Sequence, residues 1–258
     1  MKKHFFLCLL FTLISCKDSK VIEKIDSTTK NRETYNYIVL DNDTLYHGNA
    51  YTYNSKDKVI EKCVFNKGLV NGVLYRYYDN GKLKEYQYLK NGFNFGKAVS
   101  YFENGKIETS LNYRQDTLIG DAYDNYPNGN LKKYLLYDSL GRIPIVIHFN
   151  KNKRIKIKEG RAINCFLNTD KIKFGSKLNL DCLIPNIPNT QRNIKFIYSN
   201  GKEGKRRVVK KDNNYLSVEE SNYVLGENVL YVIAEYKFNK EYHNQIIKDT
   251  AFIDFYVN

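Results

Sequence analysis

Five cysteines and four histidines are the side chains with the most reactive or ligating chemistry in this sequence, and their spacing narrows what they can do. His4, His47, His148 and His243 stand far apart. None has a Cys or His neighbour at the short spacing a zinc site uses. There is no Gly-x-Ser-x-Gly elbow, no Gly-Lys-Ser/Thr phosphate loop and no Cys-x-x-Cys. Carboxylates are plentiful without a readable catalytic spacing, and Asp41 and Asp43 read as turn formers. No catalytic residue, metal ligand or cofactor is therefore expected, and the chain reads as a non-enzyme. Cys8 lies in an N-terminal apolar run that Cys16 closely follows, which leaves Cys63, Cys165 and Cys182, an odd number. Cys165 and Cys182 lie near each other in the C-terminal part and could form a disulfide in an oxidising compartment. Sequence does not supply the Cβ separation that such a bond needs.

The N-terminus supplies the clearest chemistry. Met1-Lys2-Lys3-His4 is a basic start, and Phe5 to Ile14 is an apolar run of ten residues. That run is too short to span a bilayer and suits a signal-peptide core. Leu13-Ile14-Ser15-Cys16 resembles the lipobox of bacterial lipoproteins. The resemblance implies that residues 1–15 are a cleaved signal peptide. It also implies lipidation at Cys16: a diacylglyceryl thioether on the sulfur and an N-linked acyl chain, of the palmitate kind. Each buried CH₂ contributes roughly 0.8 kcal/mol, so two or three chains form a stable membrane anchor. Lys17 follows the cysteine where an inner-membrane retention signal would carry Asp. The expected location is the outer membrane, facing the periplasm or the cell surface. Residues 16–34, polar and poor in aliphatics, read as the lipidated Cys with a flexible tether. Fully extended, residues 17–33 would reach roughly 55–60 Å.

The formal charge is +13, and about +11 once Lys2 and Lys3 are removed. An extracytoplasmic address argues against nucleic acid as partner. Anionic envelope lipids, lipopolysaccharide phosphates or acidic glycans suit the charge better.

Gly48, Gly72, Gly96 and Gly120 recur every 24 residues, the mark of a chain built from one small unit. Counting each as position one, position four reads Tyr51, Tyr75, Val99, Tyr123, and position six reads Tyr53, Tyr77, Tyr101, Asn125. Position seven reads Asn54, Tyr78, Phe102, Tyr126, and position twelve reads Val59, Leu83, Ile107, Leu131. These residue types suit strands. Asn80-Gly81, Asn104-Gly105 and Asn128-Gly129 between them predict hairpins with two-residue turns. Such turns would set Tyr78 against Leu83, Phe102 against Ile107 and Tyr126 against Leu131. They would also set Arg76 against Glu85, Ser100 against Thr109 and Asp124 against Lys133.

The Gly-x-x-Tyr…Asn-Gly-Lys-Leu pattern of NGVLYRYYDNGKLKEYQY, with its looser copy FGKAVSYFENGKIETSLNY, resembles the bacterial variant of the MORN repeat over residues 46–142. The resemblance implies β-hairpins stacked into an elongated twisted sheet with protein or membrane-lipid contacts, and it carries no catalytic residues. Residues 35–158 are expected to be this MORN-like array with caps, closed by a degenerate hairpin that turns at Asn150 to Lys153. The tyrosine columns read as sheet packing or as an aromatic platform for sugar rings or peptide, with Tyr75, Tyr77 and Tyr101 as candidate binding residues.

From Gly160 the period ends. Alternation at Leu178, Leu180, Cys182 and Ile184, at Ile194, Phe196 and Tyr198, and through VLYVIAEYKF and TAFIDFYV predicts strands. Their number and spacing predict an Ig-like β-sandwich over residues 160–258. Gly226-Glu227-Asn228 reads as the turn entering a late strand. Lys205, Arg206 and Arg207 lie in a dense basic cluster between predicted strands, read as a solvated hairpin or an anion-binding loop. The sequence therefore predicts an all-β, lipid-anchored, extracytoplasmic binding or scaffold protein: a stacked β-hairpin repeat sheet followed by the sandwich. The alternative is a surface glycan-binding accessory or hydrolase with a tyrosine-rich platform. Expected partners are the membrane through the lipid anchor and an unidentified protein, envelope glycan or lipid.

Overall fold

The computed structural model of the chain describes residues 20–167, 169–198, 206–210, 214–220 and 223–258. Among these the chain is all-β apart from one 3₁₀ turn at Lys240–Tyr242. Cys16 lies outside the described residues.

One antiparallel sheet holds fourteen strands. These are β1 (Lys20–Ile25), β2 (Arg32–Leu40), β3 (Asp43–Tyr53), β4 (Val59–Asn66), β5 (Leu69–Val70), β6 (Gly72–Tyr77) and β7 (Leu83–Lys90). They continue with β8 (Phe93–Tyr101), β9 (Ile107–Arg114), β10 (Thr117–Leu118), β11 (Gly120–Asn125), β12 (Leu131–Tyr137), β13 (Ile145–Phe149) and β14 (Ile155–Gly160). Each pairs with its successor in the chain, the short β5 and β10 lying against β4 and β9. At about 4.8 Å per strand, the path from β1 to β14 covers roughly 50 Å. Residues 20–34, expected as part of a tether, are instead β1, its turn and the start of β2. Val21 and Ile22 are enough for a strand because β2 supplies the pairing that a lone segment lacks.

The hairpins turn in two ways. At one end of the sheet, residues 54–58, 78–82, 102–106, 126–130 and 150–154 share one geometry, again every 24 residues. The first N–H donates to the fifth carbonyl, and the fourth N–H donates back to the first carbonyl, at 2.7–2.9 Å. Only the fourth residue has positive φ: Asp57, Gly81, Gly105, Gly129 and Lys153. This is a three-residue turn ending in a left-handed bulge residue, not the expected two-residue turn at Asn-Gly. Position six therefore faces twelve, as in Tyr77–Leu83 and Tyr101–Ile107, and position seven does not. One bulge further on restores the register, so Arg76–Glu85, Ser100–Thr109 and Asp124–Lys133 pair as expected. True two-residue turns, with both φ positive, lie at the opposite end: Asp41-Asn42, Lys67-Gly68, Asn91-Gly92 and Gln115-Asp116.

The chain continues through β15 (Asn164–Leu167), β16 (Lys171–Ile172), β17 (Leu178–Leu183), β18 (Thr190–Tyr198), β19 (Arg206–Lys210), β20 (Tyr215–Glu220), β21 (Gly226–Phe238) and β22 (Ile246–Val257). They form two four-stranded sheets, ordered β15-β17-β20-β19 and β16-β22-β21-β18, antiparallel except for β16 beside β22. Gly226, Glu227 and Asn228 pair with the end of β22 and belong to β21, not to a turn. Leu230, Val232, Ala234, Tyr236 and Phe238 alternate into the core, where they meet Leu180, Cys182 and Val218 of the other sheet. The same core takes in Leu131, Tyr134 and Leu136 of β12 and Ile145, Ile147 and Phe149 of β13. The C-terminal unit thus has no separate core; it is built onto the end of the long sheet.

Candidate functional site

Cross-strand register assigns the side chains of the long sheet to two faces. Apolar residues of position three, Ala50, Leu74, Ala98 and Ala122, line one face. There Ala50, Cys63 and Leu74 form a small core flanked by Tyr35, Phe65 and Leu89. Cys63 is a free, buried thiol that burial pushes up to about 11. It is closed to ordinary thiol chemistry. Arg76 on this face donates to Glu61 at 2.9 Å and to Glu85 at 3.2 Å.

Positions four and six line the other face. One row crosses the strands through Tyr51, Lys62, Tyr75, Tyr86, Val99, Ser110, Tyr123, Tyr134 and Ile147. A second runs through Tyr53, Val59, Tyr77, Leu83, Tyr101, Ile107, Asn125 and Leu131. Rings stand beside one another along it: Tyr51–Tyr53 at 6.3 Å, Tyr75–Tyr77 at 6.5 Å and Tyr86–Tyr101 at 6.4 Å between centroids. Burial, and then the neighbouring Tyr86 and Tyr123, push the Tyr101 hydroxyl above its ordinary value.

This face is covered at one end only. Over β12 and β13 the C-terminal unit buries Leu131, Tyr134, Leu136, Ile145 and Ile147. Polar contacts fix the junction. Asp121 accepts from the Tyr134 hydroxyl, from the Asn186 N–H at 3.0 Å and from the Asn214 amide at 2.8 Å. The Leu131 N–H donates to the Tyr242 hydroxyl at 3.1 Å, and the Tyr236 hydroxyl donates to the Ala162 carbonyl at 3.0 Å. Toward β3 the rows open: from β3 to β9 Val99 and Ser110 are still buried, and the other side chains of the two rows are half-buried. Tyr51, Tyr53, Tyr75, Tyr77, Tyr86 and Tyr101 are all half-buried, while Val64 and Tyr88 farther along the face are exposed. Val21 and Ile25 extend this face onto β1 and are 65 % and 66 % exposed. The rows run into an open cleft of about 480 Å³, where Lys106, Ile107, Tyr123 and Asn125 meet Pro188, Asn189 and Tyr242 of the C-terminal unit.

Hydroxyl partners separate two kinds of tyrosine. Tyr78 donates to the Tyr101 carbonyl and Tyr126 to the Phe149 carbonyl, each tying one hairpin to the next. Tyr134 and Tyr236 are bonded at the junction. Among the described residues, the hydroxyls of Tyr51, Tyr53, Tyr75, Tyr77, Tyr86 and Tyr101 have no protein partner. They can serve a ligand without breaking the fold.

The sequence-derived candidates are thereby sorted. Tyr75, Tyr77 and Tyr101 fall together on the open face. Lys205 lies outside the described residues, and Arg206 and Arg207 are not in a projecting loop: they open edge strand β19, opposite Glu220 and Glu219 of β20. Cys165 and Cys182 form a disulfide between adjacent strands β15 and β17, with Cα atoms 4.0 Å apart. Sequence reasoning missed Lys62, Lys97 and the cleft residues Pro188, Asn189 and Tyr242. The lysines share alternate positions with the tyrosines, so period-two reading could have found them. The cleft joins segments far apart in sequence and leaves no local signal. Among the described residues, no group of three His, Cys, Asp or Glu side chains is placed to hold a metal, and no helix is long and apolar enough to cross a membrane. No protein-family model matches the chain, and no match was found among curated proteins.

Proposed function

We propose that this chain is a lipid-anchored extracytoplasmic binding or scaffold protein, held by acyl chains on Cys16, whose open aromatic face makes its contacts. The observation that carries this reading is the continuity of one face: covered over β12 and β13, and half-exposed along its tyrosines from β3 to Tyr101 of β8. A contiguous half-apolar patch of this kind is a common mark of an interaction surface. Hairpins in chain order, repeating one turn geometry, support the MORN-like description of the long sheet. Two four-stranded sheets sharing a core support the Ig-like description of the C-terminal unit.

Only three residues, 17–19, separate Cys16 from β1. They limit the anchor to about 14 Å from the first strand. The acylated protein would hold β1 at the bilayer and carry the C-terminal unit roughly 50 Å along the sheet from it. The face offers rings and lysines in place of paired carboxylates, so binding is favoured over hydrolysis. The test has two parts. Cys16→Ala is expected to lose acyl label and membrane fractionation; retention of both would refute the anchor. Purified protein is expected to co-sediment with washed cell envelopes, and Tyr77→Ser with Tyr101→Ser to reduce this. Unchanged sedimentation would refute the face.

A further inference from the structure

The open face repeats, and its repeat and charge point to a ligand class. Tyr53, Tyr77 and Tyr101 occupy the same position on β3, β6 and β8, each two strand spacings from the last. That places equivalent rings about 9.6 Å apart in a line across the strands. Tyr51 and Tyr75 form a parallel line two residues away along each strand. A periodic platform matches a periodic ligand, and 9.6 Å is close to the advance of two pyranose rings in an extended chain. A tyrosine face packs against the C–H side of a sugar ring, while its hydroxyl meets the sugar's oxygens.

Charge selects among polymers. Lys62 and Lys97 lie on this face and make no ion pair with a described residue. Lys62 Nζ sits 5.8 Å from the Tyr51 ring centroid. Lys106 lines the cleft at the end of the rows. Arg32, over the Tyr53 ring at 3.9 Å, is balanced by Glu23 and Asp57. Lys62 and Lys97 thus space uncompensated positive charge along the track of rings, and Lys106, whose ammonium also donates to the Asn128 carbonyl, stands at its end. A second copy of this face would bring like charges together. A neutral polymer would leave the lysines unused.

We propose that the open face binds an acidic polysaccharide that lies across the strands. Its sugar rings pack on Tyr77, on Tyr101 and on the side of Tyr53 away from Arg32, its carboxylates or other anionic groups pair with Lys62 and Lys97, and its end enters the cleft beside Tyr123, Lys106 and Tyr242. This rests on the reading of the face as the contact surface and adds the class of ligand. The chemistry is shared by uronate polymers and other anionic glycans.

The experiment uses full-length protein in detergent and three acidic polysaccharides: polygalacturonate, alginate and hyaluronate. Dextran is the neutral comparison, and a polyproline peptide and phosphatidylglycerol vesicles are competing classes. The chain has no tryptophan, so emission comes from its 23 tyrosines, and the part that belongs to the face is the change lost in the variant with Tyr53→Ser and Tyr77→Ser. At least one acidic polysaccharide is expected to bind, change tyrosine emission and lose affinity as salt rises, because exposed charges are screened. Tyr53→Ser with Tyr77→Ser is expected to weaken binding about tenfold or more, and Lys62→Gln with Lys97→Gln several-fold at low salt only. Tyr77→Phe keeps the ring and the fold, and is expected to lose less than Tyr77→Ser. No binding by any acidic polysaccharide, or binding indifferent to both double variants, overturns the proposal. Tyrosine-dependent binding of the peptide or vesicles instead would also overturn it while leaving the face as the contact surface. Tyrosine-dependent sedimentation with envelopes, alongside failure on all three polysaccharides, separates a wrong ligand class from a wrong face.

Discussion

Gly105 and Gly160 both hold positive φ, for different reasons. Gly105, at +81°, closes a three-residue turn with open space around a would-be Cβ. Its requirement is conformational only. Gly105→Val is expected to cost about 1–3 kcal/mol, and Gly105→Asn much less, because Asn tolerates the left-handed region. Urea midpoints of the two variants check this; equal midpoints would contradict the turn. At Gly160 an added Cβ would stand 2.0 Å from the Pro144 carbonyl oxygen. Backbone must move there, so Gly160→Ala is expected to destabilise more than Gly105→Ala in the same assay. Asp138 gives the residue-scale pH effect. Burial pushes its carboxyl up, but the Arg142 N–H, the Arg142 guanidinium and the Leu140 N–H outweigh that and hold it below the ordinary value. Its stabilisation is therefore present above the unfolded carboxylate range and lost as pH falls through the lowered folded value. Asp138→Asn is expected to flatten the fall in stability below about pH 4, measured by urea titration across acid pH. A wild-type acid slope in the variant would refute the assignment.

At the scale of elements, the 24-residue period exposed the hairpins because each turn repeats the same backbone demand. The turn type differs from the two-residue turn that Asn-Gly predicts. Asn-Gly serves both a two-residue turn, as at Asn91-Gly92, and a three-residue turn with a bulge, as at Asn80-Gly81. The dipeptide alone does not separate them. Lysine after the glycine has a use that sequence does not reveal: Lys82 Nζ donates to the Glu103 carbonyl and Lys106 Nζ to the Asn128 carbonyl of the next turn. The Cys165–Cys182 bond joins β15 to β17 with a sequence separation of 17. Replacing both cysteines with Ala is expected to cost about 2–4 kcal/mol. Reductant should destabilise the wild type by a similar amount and leave the variant unmoved. Reductant sensitivity in the variant would place the effect elsewhere.

For the whole molecule, the decisive feature is that the two parts share one core. Period and composition marked a boundary near Gly160, and the strands do change sheets there. They could not disclose that β12 and β13 are covered, because the contacts pair residues such as Asp121 with Asn214 across 93 positions. Apolar residues on both faces of the hairpins also hid which face is the outer one. Asp121→Ala removes the acceptor shared by the Tyr134 hydroxyl, the Asn186 N–H and the Asn214 amide, of which the last keeps its bond to the Ile184 carbonyl. It is expected to cost about 2–4 kcal/mol and to split a single unfolding transition into two. The most direct test of the account is tyrosine nitration read by mass spectrometry, in purified protein and in intact envelopes. In purified protein, Tyr51, Tyr53, Tyr75, Tyr77, Tyr86 and Tyr101 are expected to react while buried Tyr134 and Tyr236 do not. In envelopes those six are expected to be protected, with exposed Tyr256 of β22 still reacting. Equal nitration of the six in both samples would contradict an open face that serves as the contact surface.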